Sequence, residues 1–436
     1  MTEKFNPFFE GKRNVLILGF GREGRSMFRF LQKYYPELPV GIADKNGNLN
    51  QEKDINASLH VGEDYLKALR DYDLIIKSPG VSIGNQEIDT SKKMTSQTEL
   101  FLSVYGNQTI GITGTKGKST TSTLVYHLLK SSGKDTLLLG NVGSPAFDSI
   151  EKINDKILIV YELSAHQLEH VHHSPHIAAL LNIFPEHLDY FQDFNAYKTA
   201  KLNIFKYQVQ DDIAVTGMPT ETGRACYTMK SAQEEIEDLL GKDVSGSQLL
   251  EMAHLRGQHN LGNILLALRV VQAAGIPAKE SYRHLFTFQP LPHRLEHIGE
   301  FGGIEFYNDS ISTVPQSTMA AISSLGDLDA IILGGFDRGL DYSELVDFLR
   351  TSTINYLFFI GKAGIRMFDI FQSQSNNKKL FVVKRLEDVF EILEQTSDIK
   401  KCLLSPAAAS YDQFTNFEHR GEHFKMLARQ FSKSKA

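Results

Sequence analysis

The stretch that decides the fold reads Thr109-Ile-Gly-Ile-Thr-Gly-Thr-Lys-Gly-Lys-Ser-Thr-Thr121. Its apolar start predicts a buried strand, and Leu124, Val125 and Leu128 beyond it have the spacing of a helix. A glycine-containing turn between a strand and a helix directs backbone N–H groups and the positive end of the helix at an anion. The stretch therefore predicts a phosphate-binding loop in a parallel α/β sheet.

The side chains of this loop indicate that the anion belongs to ATP. Lys118 supplies a charge for the β- and γ-phosphates, and Ser119 supplies a hydroxyl for Mg²⁺. The strict P-loop pattern requires glycine where this chain has Ile112, so the match is to a shorter form, and a solvated turn is the alternative interpretation. The predicted ATP-binding residues of the loop are Gly114, Thr115, Lys116, Gly117, Lys118, Ser119 and Thr120.

Length, charge and cysteine content narrow the class of protein. A chain of 436 residues has room for about three domains. A net charge of −6 argues against nucleic acid or an anionic membrane as the main partner. Only two cysteines are present, Cys226 and Cys402. No run of apolar residues reaches the length of a membrane span. We therefore expect a cytoplasmic enzyme that binds neither nucleic acid nor membranes.

A second glycine-rich turn lies near the start of the chain. The strand Asn14–Leu18 leads into Gly19-Phe-Gly-Arg-Glu-Gly24, and Asp44 follows 20 residues later at the end of another strand. This is the dinucleotide fingerprint, in which the glycines approach a diphosphate and the acid binds a ribose hydroxyl. A nicotinamide-dependent dehydrogenase would carry it. A UDP-sugar, which also joins a diphosphate to a nucleoside, fits it equally well.

Two further buried strands end in groups suited to a cation. Ile157–Tyr161 ends at Glu162, and a carboxylate beside a phosphate loop is where a Mg²⁺ ligand is needed. Ile177–Leu181 leads to His187, which would suit Mn²⁺ or serve as a structural histidine. A nearby histidine cluster places His166 and His170 four residues apart on a predicted helix, a spacing that a zinc site could use. No glutamate completes an H-E-x-x-H motif and no cysteine lies nearby in the sequence, so a polar helix face is favoured over a zinc site.

Strands alternate with helical patterns along the whole chain, so the fold class is α/β with parallel sheets. We predict three domains: residues 1–105 as a Rossmann-like domain, 106–288 as a central ATP- and Mg²⁺-binding domain, and 289–436 as a C-terminal Rossmann-like domain. The third begins at Leu291-Pro-His-Arg294, and its strand ends carry polar groups.

In the order of its motifs the chain resembles the Mur ligases, the ATP-dependent amide-forming enzymes of peptidoglycan precursor synthesis. The motifs are Gly114–Thr120, Glu162-Leu-Ser164 with Gln167-Leu-Glu169, Leu181-Asn182 with His187, Ala200-Lys-Leu202, Gly257-Gln-His-Asn260, Leu291-Pro-His-Arg294, Asn308-Asp-Ser310, and Leu404-Ser-Pro406 with Ser410, Asp412-Gln-Phe414 and Asn416-Phe-Glu418. Within the family, the likeness is strongest to members that add glutamate to UDP-N-acetylmuramoyl-L-alanine.

The resemblance implies a mechanism and its catalytic residues. ATP would phosphorylate the substrate carboxylate, and the amine of glutamate would attack the acyl phosphate. Lys118 would hold the transferred phosphate, with one Mg²⁺ on Ser119 and Glu162. A second Mg²⁺ would lie on His187 and on Lys201 carrying a carbamate, because a bare ammonium has no lone pair for a cation. The resemblance adds Asn263, Arg294 and Asp309 as ATP contacts, drawn from two domains.

The resemblance also assigns the two other substrates. The UDP-sugar would be bound by Gly21, Arg22, Glu23, Asp44, Lys45, Ser78, Gly80, Asn141 and Ser164. The glutamate would be bound by Thr313, Arg338, Ser410 and Phe417. A cation such as Arg338 is what a dicarboxylic amino acid requires, since its guanidinium can hold a carboxylate through two hydrogen bonds. We expect a monomer.

This sequence departs from better-known family members at three places. Lys116 stands where asparagine is usual, and Ala165-His166 replace Ser-Phe. Ile311 stands where a lysine is usual in the third domain, which removes a cation from the predicted amino-acid pocket. D-glutamate is the expected substrate and L-glutamate the alternative. A sibling such as a folate polyglutamate synthase would share the ATP machinery but would not need the first domain.

Overall fold

The computed structural model describes residues 2–51, 55–83, 94–218, 226–372 and 378–432. The chain forms two compact units, Met1–Phe288 and Gln289–Ala436. The predicted division within the first unit, at 105/106, and the one at 288/289 stay predictions. None of the helices within the described ranges combines the length and the hydropathy that a membrane span requires.

The first sheet of the larger unit is a five-stranded parallel sheet with the order β3-β2-β1-β4-β5. Its elements are α1 Asn6–Phe9, β1 Val15–Leu18, α2 Arg22–Tyr34, β2 Val40–Asp44, β3 Ser58–Val61, β4 Leu74–Lys77, β5 Met94–Ser96 and α3 Gln97–Tyr105, with 3₁₀ turns at Thr2–Phe5, Gly47–Gln51 and Tyr65–Arg70. A Cβ atom at Gly24 would lie 2.1 Å from the backbone oxygen of Gly19. Only glycine therefore lets α2 begin this close to the end of β1.

The second sheet, in the same unit, has six parallel strands in the order β11-β10-β9-β6-β8-β7. Its elements are β6 Thr109–Thr113, α4 Lys118–Ser131, β7 Thr136–Gly140, β8 Leu158–Glu162, α5 Ala165–Leu168, β9 Ile177–Leu180, α6 Leu188–Phe191, α7 Phe194–Lys206, β10 Ile213–Thr216, β11 Cys226–Thr228, α8 Ala232–Leu240, α9 Gly246–Met252, α10 Gln258–Ala273 and α11 Ala278–Ser281. Three 3₁₀ turns lie at Gly106–Gln108, Ala146–Lys152 and Tyr282–Thr287. The strand of the phosphate loop, β6, lies at the centre between β8 and β9, so the ends of these three strands meet at one edge.

The smaller unit holds a third, mixed sheet with the order β12-β13-β17-β14-β15-β16. Only the edge strand β12 runs antiparallel to its neighbour. Its elements are β12 Glu296–Phe301, β13 Ile304–Asn308, α12 Pro315–Leu325, β14 Ala330–Gly334, α13 Ser343–Thr351, β15 Tyr356–Ile360, α14 Gly361–Gln372, β16 Lys379–Val383, α15 Leu386–Glu394, β17 Lys401–Leu404 and α16 Phe417–Gln430.

The first two sheets share a hydrophobic core. Phe30 of α2 packs against Phe147 of the 3₁₀ turn Ala146–Lys152, with ring centroids 4.8 Å apart. Phe101 of α3 packs against Tyr161 of β8 at 5.4 Å. Bidentate contacts between Arg29 and Asp148 extend this interface to the surface. The side chains at the ends of the two sheets are therefore held at fixed distances within one packed unit.

The prediction of parallel, helix-covered α/β sheets is confirmed. The prediction of a helix that carries both His166 and His170 is wrong. The helix α5 ends at Leu168, and His170 follows it in a turn, so the two imidazoles do not share a helix face. The zinc alternative has no support, because no three His, Cys, Asp or Glu side chains in the described ranges group closely enough to hold a metal ion.

Candidate active site

The phosphate loop leads into α4 at Gly117, the residue that precedes the helix. The backbone of Gly117 is left-handed, with φ of 86°. A Cβ atom there would lie 2.3 Å from the side-chain oxygen of Asn263. The loop thus closes against α10, and the structure brings Asn263 to the loop as the sequence predicts. The first backbone N–H groups of α4 have no partner within the helix, so this end suits an anion.

Two lysines converge on the carbonyl oxygen of Gly114. The Nζ atom of Lys118 donates to this oxygen at 2.9 Å and to that of Thr115 at 2.8 Å. The Nζ atom of Lys201, on α7, donates to the oxygen of Gly114 at 2.8 Å. Lys201 is only 1% exposed. Burial, and then the charge of Lys118, lower the pKa of Lys201 to about 7, so a large share of its amine is neutral near neutral pH.

Oxygen donors for Mg²⁺ lie beside the loop. The hydroxyl of Ser119 donates to Glu162 Oε1 at 3.3 Å, and Glu162 is buried at the end of β8. Hydroxyl and carboxylate oxygens are the ligands that Mg²⁺ prefers, so this pair fits the ion that the sequence predicts. The second predicted set, His187 with Lys201, fits a cation only when Lys201 carries an acidic group.

His187 lies at the start of the short helix α6, with a left-handed backbone of φ 57°. Its ring packs against His166 at 5.0 Å, centroid to centroid, in a T-shaped contact. Burial and the neighbouring His187 lower the pKa of His166 to about 4, which leaves a neutral ring. Lys116, the predicted loop residue, forms an ion pair at 2.5 Å with Glu186, the residue before His187.

A cavity of about 350 Å³ lies at the ends of the strands of the first sheet. Seven of the nine residues predicted to bind the UDP-sugar line it: Gly21, Arg22, Glu23, Asp44, Ser78, Gly80 and Asn141. The other two lie elsewhere. Lys45 forms an exposed ion pair with Glu63 at 3.8 Å, and Ser164 caps α5 by accepting from the N–H group of Gln167.

Two carboxylates of this cavity have different surroundings. Asp44 accepts hydrogen bonds from the N–H groups of Phe20 and Asn46, at 2.6 and 2.8 Å. Glu23 accepts one from Nε2 of Gln167 at 2.7 Å, and burial raises the pKa of Glu23 to about 7. Glu23 is therefore partly protonated near neutral pH, so the cavity carries less negative charge than its sequence suggests.

Replacing Glu23 by glutamine is expected to remove a pH dependence of stability. Between the ordinary pKa of 4.5 and about 7, folded Glu23 holds a proton that the unfolded chain has released. The free energy of unfolding of the native protein therefore falls as pH rises through this window, by about 1–2 kcal/mol after allowance for partial exposure. Unfolding midpoints measured at pH 5 and pH 8 test this.

The matched control is Glu63→Gln, at an exposed glutamate. As pH rises from 5 to 8, the free energy of unfolding of Glu23→Gln should increase relative to that of the native protein. The Glu63→Gln variant should show no such relative increase. An equal difference at both pH values would contradict the prediction.

In the smaller unit, the predicted ATP contacts differ in burial. Arg294 is exposed, whereas Asp309 is only 3% exposed. Asp309 accepts from the hydroxyl of Ser405 at 2.7 Å and from the N–H group of Leu295 at 3.2 Å. Burial raises the pKa of Asp309 to about 6. These contacts engage both oxygens of the carboxyl group and hold it at the ends of β13 and β17.

Of the predicted glutamate-binding residues, Thr313, Arg338 and Ser410 lie on loops of the same unit, and Phe417 is the first residue of α16. Ser410 is buried, Thr313 and Phe417 are half-buried, and Arg338 is exposed. The guanidinium carbon of Arg338 lies 5.6 Å from the centroid of the Tyr411 ring, which is a cation–π contact. The backbone oxygen of Phe417 accepts from the hydroxyl of Ser310 at 2.8 Å.

Sequence reasoning missed the residue that holds these loops together. The buried Arg420 donates to Ser310 Oγ at 3.0 Å, and to the backbone oxygens of Ser310, Ala408 and Ala409. It thus joins the loop after β13 to the loop after β17. A charged residue in the first turns of a helix is usually exposed, so the sequence carried no signal for this role.

Comparisons with known proteins find relatives that cover nearly the whole chain. The family model of the Mur ligase middle domain matches residues 112–271, and that of the Mur ligase MurD-like N-terminal domain matches residues 13–98. The UDP-N-acetylmuramoylalanine--D-glutamate ligase of Clostridium botulinum (strain Hall) is 32% identical over 97% of this chain and 98% of its own length. The chain belongs to the Mur ligase family. The Clostridium novyi ligase of the same name is also 32% identical, over 98% of this chain and 99% of its own.

Solved structures of Mur ligases and their relatives share the fold. MurF from Acinetobacter baumannii has a TM-score of 0.59 at 15% identity and covers 98% of each chain. Folylpolyglutamate synthase from Thermotoga maritima has a TM-score of 0.52 at 15% identity, over 78% of this chain and 94% of its own. The expected three-domain Mur ligase fold is thus confirmed. Membership in this family makes the chain an ATP-dependent amide-forming ligase and removes the dehydrogenase interpretation of the Gly19–Gly24 turn.

Proposed function

We propose that this Mur ligase joins D-glutamate to UDP-N-acetylmuramoyl-L-alanine, with ATP consumed, in peptidoglycan precursor synthesis in the cytoplasm. The observation that carries the proposal is the convergence of Lys118 and Lys201 on the carbonyl oxygen of Gly114, inside a phosphate loop. The relatives that cover nearly the full chain bear the name of this activity. A cavity carrying the dinucleotide fingerprint lies in the same compact unit.

The proposed reaction has two steps. The carboxylate of the L-alanyl group attacks the γ-phosphorus of ATP, the bond to the β,γ-bridging oxygen breaks, and ADP leaves. The amine of glutamate then attacks the acyl carbon, loses a proton and expels phosphate. Each species is anionic, so charge neutralisation and alignment supply most of the catalysis.

The residues of the loop are suited to the first step. The positive start of α4 and the ammonium of Lys118 neutralise the phosphates of ATP. Ser119 and Glu162 would hold Mg²⁺, which supplies further neutralisation of the phosphate oxygens when bound. Asn263, packed against Gly117, would contact the nucleotide. Arg294 and Asp309 of the smaller unit are proposed as further ATP contacts.

We assign the second Mg²⁺ to His187 and a carbamylated Lys201. Carbamate formation joins the neutral amine to CO₂ and releases a proton. The lowered pKa of Lys201 supports this, because the amine that attacks CO₂ is present near neutral pH. The product carries two oxygens and a negative charge, so an ammonium that repels cations becomes a ligand.

The remaining assignments follow the two other substrates. The residues that line the first cavity would bind the UDP group, with Lys45 and Ser164 outside that lining. Thr313, Arg338, Ser410 and Phe417 would bind glutamate. L-glutamate is the second candidate substrate, since Ile311 leaves the pocket without the lysine found in better-known members.

Phosphate release tests the proposal. The purified protein is given ATP, Mg²⁺ and UDP-N-acetylmuramoyl-L-alanine, with D-glutamate or L-glutamate added separately. We expect release that depends on D-glutamate. Release with L-glutamate alone would reverse the stereochemical assignment. If neither amino acid gives phosphate release, the proposed reaction is overturned.

A further inference from the structure

The imidazole of His187 is held by a single helical turn. The helix α6 contains only Leu188–Phe191, and the N–H groups of Tyr190 and Phe191 both donate to the carbonyl oxygen of His187, at 3.1 and 3.0 Å. The left-handed backbone of His187 directs the chain into this turn. The position of His187 therefore depends on what fixes the residues of this turn, among them Tyr190 and the buried Phe191.

The hydroxyl of Tyr190 is anchored on the first sheet. It accepts a hydrogen bond at 2.9 Å from Lys77, the last residue of β4. Its single proton can be donated to either of two acceptors, Glu169 Oε2 at 2.9 Å or the backbone oxygen of Val81 at 3.3 Å. Lys77 is only 3% exposed, and its ammonium also forms an ion pair with Glu169 at 3.5 Å, so the hydroxyl belongs to a network of three polar side chains.

The ring of Tyr190 continues the path toward the predicted metal site. It meets the ring of His166 in a T-shaped contact, with centroids 4.4 Å apart. His166 in turn packs against His187 at 5.0 Å. The histidine that replaces the phenylalanine of better-known family members thus fills the space between Tyr190 and His187. Two routes, α6 and His166, connect the same hydroxyl to the same imidazole.

We propose that Tyr190 is a positioning residue that couples the loop Ser78–Val81 of the first cavity to the imidazole of His187. The proposal rests on the proposed function, which assigns Ser78 and Gly80 to the UDP-sugar and His187 to a metal ion. A ligand that contacts Ser78 and Gly80 also restricts the backbone oxygen of Val81, the next residue in the loop. The hydroxyl of Tyr190, and with it the turn that begins at His187, are then held in one arrangement.

The consequence is a coupling between two binding events. Binding of UDP-N-acetylmuramoyl-L-alanine is expected to tighten binding of a divalent cation, because it pre-organises one of the ligands of that cation. Linkage requires the reverse effect to have the same size. We expect a factor of about tenfold, within the usual range of coupling between sites.

The experiment measures this coupling without turnover. Mn²⁺ binding is followed by electron paramagnetic resonance in the presence of a non-hydrolysable ATP analogue and bicarbonate, with and without UDP-N-acetylmuramoyl-L-alanine. In the native protein, we expect the UDP-sugar to lower the Kd of Mn²⁺ about tenfold. In Tyr190→Phe, which keeps the ring and removes only the hydroxyl, we expect the two values to agree within about twofold.

The matched control is Tyr126→Phe. Tyr126, which is half-buried on α4, also accepts a hydrogen bond from a lysine, the exposed Lys130, at 2.9 Å. This variant should retain the coupling. Full coupling in Tyr190→Phe, or a loss of thermal stability without a loss of coupling, would overturn the proposal, as would a native protein without coupling.

A second variant keeps the test independent of folding defects at Tyr190. His166→Ala removes the ring contact and is expected to weaken the coupling, whereas His166→Phe should keep it. Native turnover with D-glutamate is measured separately. Turnover without coupling would overturn only this inference, and absence of turnover would overturn the proposed function.

Discussion

The Lys201→Ala variant is expected to lose about 10²–10³-fold in kcat for the ligation reaction. The buried amine of Lys201 lies 2.8 Å from the carbonyl oxygen of Gly114, so its derivative would lie against the phosphate loop. Alanine supplies neither the ammonium nor the carbamate oxygens. Rates of phosphate release at saturating ATP and UDP-N-acetylmuramoyl-L-alanine measure the loss.

The control is Lys198→Ala, which removes an exposed lysine from the same helix, α7. It should leave the rate unchanged within about twofold, because surface substitutions have small effects. A Lys201→Ala variant with full activity would contradict the assignment of this residue.

The chemical identity of the group on Lys201 has its own readout. Native protein prepared in CO₂-free buffer should lose activity and recover it on addition of bicarbonate. Because the amine becomes neutral as pH rises through about 7, recovery at equal concentrations of dissolved CO₂ should be faster at pH 8 than at pH 6. With ¹³C-labelled bicarbonate, a carbamate carbon signal should appear in native protein and be absent from Lys201→Ala.

Most of the parallel strands could be predicted because each is a continuous apolar run. The runs at Val15–Leu18, Thr109–Thr113 and Ala330–Gly334 are buried throughout, and in a parallel sheet covered on both faces no polar alternation interrupts them. The edge strand Glu296–Phe301 escaped prediction. Its sequence, Glu-His-Ile-Gly-Glu-Phe, is largely polar, and its pairing shifts register between His297 and Gly299.

The candidate site was predictable where one short motif holds both the loop and its ligand-binding groups. Lys118 and Ser119 follow directly from their place between β6 and α4. Contacts made across sequence were not predictable. Gln167 reaches Glu23, 144 residues away, and Lys77 reaches Tyr190, 113 residues away. Such pairs depend on how the first two sheets pack, which local patterns do not encode.

The Arg338→Ala variant is expected to raise the KM for glutamate about 10- to 100-fold, the loss that corresponds to a hydrogen bond to a charged group. The KM values for ATP and for UDP-N-acetylmuramoyl-L-alanine should stay the same. Arg338 is exposed on the loop after β14, and its guanidinium rests on the ring of Tyr411. An exposed guanidinium held by a ring contact is accessible to the carboxylate of an incoming amino acid.

Two further variants sharpen this test. Arg338→Lys keeps the charge but loses the planar fork, so we expect an intermediate KM for glutamate. Arg429→Ala removes an exposed arginine from α16 in the same unit and should have no effect. An unchanged KM for glutamate in Arg338→Ala would exclude this residue from the pocket.

Better-known family members carry a lysine at the position of Ile311. A substitution at Ile311 therefore tests whether Arg338 replaces the function of that lysine. The N–H group of Ile311 donates to the backbone oxygen of His293 at 3.2 Å, so the loop is fixed by its backbone and tolerates a new side chain. If one cation suffices, Ile311→Lys introduced into Arg338→Ala should recover at least about tenfold of the lost affinity for glutamate. The same double variant, assayed with D- and L-glutamate, shows whether the place of the cation also selects the stereoisomer. Failure to recover affinity with either isomer would mean that the fork geometry of Arg338, and not its charge alone, binds the amino acid.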